Sequence, residues 1–127
     1  MAKTLKNEFG VVPGDYFSMT WGYDQTNVNY FQVVSVTAKG VRVREVHPDY
    51  SIENATGPMS EDRVYKLEKK MLEYKETSHF IENQERGDLK KISTLGGGIE
   101  IYIKNDYHYI ARLCEEDKET VYASWYA

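Results

Sequence analysis

Val28-Asn29-Tyr30-Phe31-Gln32-Val33-Val34-Ser35-Val36-Thr37-Ala38-Lys39-Gly40-Val41-Arg42-Val43-Arg44-Glu45-Val46 decides the fold. It reads as two β-strands joined by a tight turn. β-Branched and aromatic residues dominate both runs, and the connection is only Ala38-Lys39-Gly40, with Gly40 available for a positive φ. On the first strand Tyr30, Gln32, Val34 and Val36 share one face, and Asn29, Phe31, Val33 and Ser35 the other. Both faces carry apolar groups, as in a strand buried on two sides or curling across a barrel. The second strand alternates, with Val41 and Val43 inward and Arg42 and Arg44 outward.

Working outward, Pro13-Gly14-Asp15 is a turn signal, and the aromatic run after it predicts a strand over 15–21. Residues 1–12 read as a lead-in, with Phe9, Val11 and Val12 packing as an edge. Downstream, His47-Pro48-Asp49 ends the hairpin, and the stretch through Gly57-Pro58 reads mostly as loop. Over 60–86 two patterns compete. Val64, Leu67, Met71 and Tyr74 follow a helical spacing behind a capping sequence, Ser60-Glu61-Asp62-Arg63, whereas Val64-Tyr65-Lys66-Leu67 also suits a short strand. The expectation is a strand or turn to about residue 68, then one polar helix or excursion to Arg86-Gly87. β-Structure resumes at Leu89 to Leu95, and further strands are expected near 99–104, 107–114 and 119–125. The expected architecture is mainly β: a single domain over 1–127, a small antiparallel SH3-like barrel or rolled sheet. Phe31, Val33, Val43, Ile101 and Ile110 are its expected core.

Composition narrows the function classes. The chain has 127 residues, 41% hydrophobic and 28% charged, as in an ordinary globular domain. No apolar run approaches the roughly 18 to 20 residues that span a bilayer, so no membrane association is expected. Residues 1–8 lack the apolar centre of a signal peptide, and Cys114 has no partner for an internal disulfide, so a cytoplasmic setting is expected. Sixteen basic against twenty acidic side chains, a net charge of −4, argue against a general polyanion binder. Eleven tyrosines suit a contact surface, and suit strands equally.

The strongest contact candidate is the loop before the hairpin, Trp21-Gly22-Tyr23-Asp24-Gln25-Thr26-Asn27. A turn that only connects needs Gly, Asn or Asp and has no use for Trp or Tyr. Trp21, Tyr23, Asp24, Gln25 and Asn27 are therefore expected to bind a partner, although Trp21 also suits a core and Asp24 and Asn27 suit turn-holding hydrogen bonds. Arg42 and Arg44 join them as a basic face, with Lys66, Lys69, Lys70, Lys90 and Lys91 as neighbours; a solvated outer face is the plainer reading. No catalytic residue, metal or cofactor is expected. Cys114 lies in an apolar pattern with no nearby His, and His47, His79 and His108 are too far apart for a ligand cluster. Gly96-Gly97-Gly98 leads into Ile-Glu-Ile-Tyr-Ile, a strand, where a phosphate loop needs a helix start. Glu115, Glu116, Asp117 and Glu119 read as a solvated acidic loop.

The segment Ser18 to Val34, with Trp-Gly-Tyr-Asp-Gln-Thr-Asn running into Phe-Gln-Val-Val, resembles a family of small, mostly uncharacterised phage, plasmid and mobile-element proteins. The tail Ala123-Ser124-Trp125-Tyr126-Ala127 matches that resemblance moderately, and residues 60–90 do not. The resemblance implies a mobile-element setting, where small acidic proteins often bind host machinery such as restriction and CRISPR effectors. Three functions follow as expectations. The first is an anti-defence, anti-CRISPR-type inhibitor that contacts a host protein or nucleoprotein complex. The second is a nucleic-acid-binding barrel using Tyr23, Tyr30, Arg42 and Arg44. The third is an enzyme acting on nucleotides or nucleic acid, with Asp24, Asn27 and His108 as candidates.

Overall fold

The computed structural model describes residues 7–21, 27–57, 60–103, 109–115 and 118–124. They form nine strands: β1 (Tyr16–Trp21), β2 (Asn27–Val36), β3 (Gly40–Val46), β4 (Tyr50–Gly57), β5 (Ser60–Lys66), β6 (Asp88–Ser93), β7 (Glu100–Tyr102), β8 (Ile110–Leu113) and β9 (Lys118–Ser124). Six of them close an antiparallel barrel in the order β1-β2-β3-β6-β7-β8, with β8 returning to β1 at Phe17↔Leu113 and Ser18↔Arg112. The other three make a separate sheet, β4-β5-β9. The chain is therefore mainly β, and the sheet closes on itself where an open roll was the alternative.

The β2–β3 hairpin forms as its alternation predicts. Phe31, Val33, Val41 and Val43 point into the barrel with Phe17, Met19, Ile92 and Ile101, all buried. Ile110, expected beside them, is only half-buried. A β-bulge between Val33 and Ser35 reverses the expected faces beyond it. One extra residue shifts the pleat by one, so Val36 turns to the barrel core and Ser35 to solvent. Gly40 does not adopt a positive φ. It is required for another reason: a Cβ there would lie 2.8 Å from the Lys90 carbonyl oxygen of β6.

Residues 67–87 correct the helix expectation. Among the described residues there is no helix, and this segment is an irregular strap across the outside and one mouth of the barrel. The helical spacing of Val64, Leu67, Met71 and Tyr74 does not mark one buried face, because Leu67 is buried while Met71 and Tyr74 are exposed. Val64 belongs to β5, the middle strand of the second sheet, so Ser60 to Arg63 starts a strand and caps no helix. β4 likewise replaces the loop expected after Asp49.

Side chains of the barrel wall hold the strap. Gln32, 1% exposed on the outer face of β2, accepts from Leu72 N–H at 2.8 Å and donates to Lys70 O at 2.7 Å. Glu45, 2% exposed at the barrel mouth, accepts from Lys75 Nζ and Ser78 Oγ, each at 2.6 Å, and from Asn29 Nδ2 at 3.2 Å. Just beyond, Ile81 is buried in the barrel core, and the Phe80 ring stands edge-on to Phe31 at 6.4 Å. The strap thus supplies both a cover for the β2–β3 outer face and a plug for the barrel end. Burying both sides of β2 is what its doubly apolar sequence required.

Candidate functional site

A row of packed, mutually tilted aromatic rings joins the second sheet to the barrel. Lys66 N–H donates to Asp49 O at 2.8 Å and extends the β4–β5 ladder, in which Tyr50↔Tyr65 and Ile52↔Arg63 lie directly opposite each other. Directly opposite residues share a face, as do residues two apart on a strand. Tyr50, Ile52, Arg63 and Tyr65 therefore form one patch. Tyr65 is buried and packs its ring 4.7 Å from Tyr30 of β2, within a small second core that includes Tyr16, Val46 and Leu67. Tyr50 lies 5.2 Å from Tyr65 on its outer side, and the Arg63 guanidinium sits 4.9 Å from the centre of the Tyr50 ring.

The row runs from buried to exposed. Tyr30 and Tyr65 anchor the sheet, whereas Tyr50 is 48% exposed and Ile52 55% exposed. The patch borders a cleft of about 490 Å³ that continues to Asn29, Glu45, His47 and Asp49. The cleft does not present the Glu45 carboxylate, which is buried and held by Lys75, Ser78 and Asn29. His47 stands at its rim, and its imidazole is held below the usual histidine pKa by burial, with Lys75 adding to the effect and Glu45 opposing it. Tyr16, in the second core, has its phenol pushed up to about 12, chiefly by burial and then by Glu68 and Cys114. Chemically the cleft offers ring faces, a guanidinium and the exposed Asp49 at one opening. Those are recognition groups, with Tyr and Arg the residue types enriched at interface centres.

The residues expected to bind a partner are placed as follows. Trp21 and Asn27 pair through their backbones and close the β1–β2 hairpin. Tyr23, Asp24 and Gln25 lie outside the described residues, as does His108. Arg42 and Arg44 point away from the barrel core, and both work on the strap. Arg42 Nη1 donates to Gly87 O at 3.0 Å, and Arg44 donates to Glu85 O while its guanidinium lies 5.2 Å from the Tyr74 ring centre. Lys69 pairs with Asp15, Lys70 with Glu68, and Lys90 donates to Ile103 O at 2.7 Å. The arginines thus engage backbone carbonyls of the strap, and several nearby lysines have partners of their own.

Sequence reasoning missed Tyr50, Ile52, Arg63 and Tyr65. One signal was present: Tyr50-Ser51-Ile52 and Arg63-Val64-Tyr65 each alternate, and Gly57-Pro58 between them is a turn signal. Among the described residues no His, Cys, Asp and Glu gather in a group able to hold a metal, and no helix is long and apolar enough to cross a membrane. Comparison with protein-family models, curated proteins and solved structures finds no match to this chain.

Proposed function

We propose that this chain is a non-enzymatic binding protein of a phage or other mobile element that inhibits a host defence nuclease complex, in the manner of an anti-CRISPR, by protein–protein contact. The observation that carries the reading is the exposed Tyr50 ring with the half-buried Arg63 guanidinium over it, backed by buried Tyr65 and Tyr30. A ring fixed from behind gives contact area at little entropic cost, which is how interface anchors work. The second sheet adds nothing to barrel closure, so presenting this patch is a reason for it to exist. The net charge of −4 also suits a partner with a basic nucleic-acid channel. The mobile-element setting rests on the resemblance of Ser18 to Val34.

The test is a panel of purified CRISPR effector and restriction complexes, assayed for binding and for target cleavage with and without the protein. Inhibition of at least one complex, relieved by Tyr50→Ala, is expected. Unchanged cleavage across the panel would count against the reading. The nucleic-acid alternative draws on the same pair, since Tyr50 and Arg63 could stack a base. It expects single-stranded probes to bind at low salt and to dissociate steeply as salt rises. Tyr23→Ala in the same assays measures what the β1–β2 loop contributes.

A further inference from the structure

The β4–β5 ladder has a phase, and that phase leaves the outer edge of β4 unpaired among the described residues. Lys66 N–H donates to Asp49 O at 2.8 Å. Hydrogen-bonded and non-bonded pairs alternate along an antiparallel ladder, so Tyr50↔Tyr65 and Ile52↔Arg63 are non-bonded pairs. The N–H and C=O groups of Tyr50 and Ile52 consequently face away from β5. Among the described residues no strand lies on that side, because β4 is the outer strand of β4-β5-β9. Tyr50-Ser51-Ile52-Glu53 carries neither the Lys nor the Pro that commonly guard an unpaired edge. The bulge between Glu53 and Gly57 ends the regular stretch, so about five residues from Asp49 to Glu53 have no strand on their outer side among the described residues.

In the register centred on Ser51, which uses the whole stretch from Asp49 to Glu53, charge decides which occupant fits. A second copy of the chain, pairing antiparallel about Ser51, would set Asp49 opposite Glu53 of the other copy. Like charges directly opposite destabilise a ladder. A segment with Lys or Arg at those two positions turns the same register into two attractive pairs. We propose that the β4 edge takes an extended segment of a partner protein as a fourth strand, with basic residues opposite Asp49 and Glu53 and β-branched residues opposite Tyr50 and Ile52. This rests on the protein-contact reading above and names its mode: main-chain bonds supply affinity, and alternate side chains supply specificity. The incoming β-branched side chains would lie on the Tyr50–Ile52 face, covering the exposed end of the tyrosine row.

The probe is the capped peptide Gly-Lys-Val-Thr-Val-Lys-Gly, titrated into the ¹⁵N-labelled full chain. Chemical-shift changes and slowed amide exchange are expected at Tyr50 and Ile52. In the added ladder the two Val residues exchange hydrogen bonds with Tyr50 and Ile52, so N-methylation of both Val amides should weaken binding about tenfold or more, whereas N-methylation of the Thr amide should change it little. The peptide with Glu in place of both Lys should also weaken about tenfold or more. Ile52→Pro removes the outward N–H without touching a β4–β5 bond, so it should fold and lose the peptide. The N-methyl series stands even if that variant does not fold. No shift at millimolar peptide, or equal tolerance of the two N-methyl patterns, overturns the proposal. If Tyr50→Ala releases a nuclease complex and folded Ile52→Pro does not, strand addition fails while the contact reading survives.

Discussion

The carboxamide of Gln84 lies on the main chain of Glu45 as a neighbouring strand's peptide group would. Its Oε1 accepts the Glu45 N–H at 2.8 Å, and its Nε2 donates to Glu45 O at 3.2 Å. β6 pairs with β3 only from Gly40 to Val43, so the ladder would otherwise stop short of Glu45. Gln84 continues it by side chain. The same Nε2 donates to Lys75 O at 2.8 Å, tying two passes of the strap to one point on the barrel.

Gln84→Ala should therefore act as a core mutation even though it changes one polar side chain. It leaves the Glu45 N–H buried without that partner, which costs about 1 to 3 kcal/mol. Urea unfolding should show a lower midpoint, and amide exchange at Glu45 and Lys75 should speed up together. A midpoint equal to that of the unsubstituted protein would mean the strap is held without this residue.

Phe31→Ala should be close to unfolding. Phe31 is fully buried in the barrel, facing Phe80 of the strap. Removing such a ring costs about 3 to 5 kcal/mol, near the whole stability of a domain this size. Cooperative unfolding at an unchanged melting temperature would contradict the assigned core.

Stability should rise with pH through the histidine range, and His47 should be a cause. Its folded pKa lies below the ordinary 6.5 because burial and Lys75 disfavour the imidazolium. Between those two values the unfolded chain binds more protons, so stability increases with pH there. The contribution is fully present above 6.5 and is lost as pH falls through the window. His47→Gln should flatten this part of the urea-midpoint profile. A profile as steep in the variant as in the parent would assign the effect elsewhere.

How much of this was legible in the sequence follows from where each element finds its order. β1, β2 and β3 carry their own alternation, and the barrel they begin was readable from Val28 to Val46. The bulge was not, because a single extra residue leaves no local signature in a run such as Val33-Val34-Ser35-Val36. The strap has no period of its own. Gln32, Glu45 and Gln84 hold it through contacts 33 to 40 residues apart in sequence, at Leu72, Ser78 and Glu45. Single buried polar residues are poor predictors of what they will bind. The tyrosine row was hidden for a related reason. Tyr30, Tyr50 and Tyr65 come from three strands, and only the folded ladder brings Arg63 over Tyr50. Arg42 and Arg44 were correctly placed outside the barrel core, but the carbonyls of Glu85 and Gly87 that occupy them lie beyond any local reading.

The proposed contact surface is tested most directly by the affinity of the Tyr50→Ala protein, beside that of the unsubstituted chain, for any defence nuclease complex found to be inhibited in the panel. Tyr50 is half exposed and outside both cores, so its melting temperature should stay nearly unchanged. Loss of an interface anchor costs about 2 kcal/mol or more, which is a tenfold or greater rise in Kd. Equal affinity of the two folded proteins for that complex would contradict the assignment of the Tyr50–Arg63 patch as the contact surface.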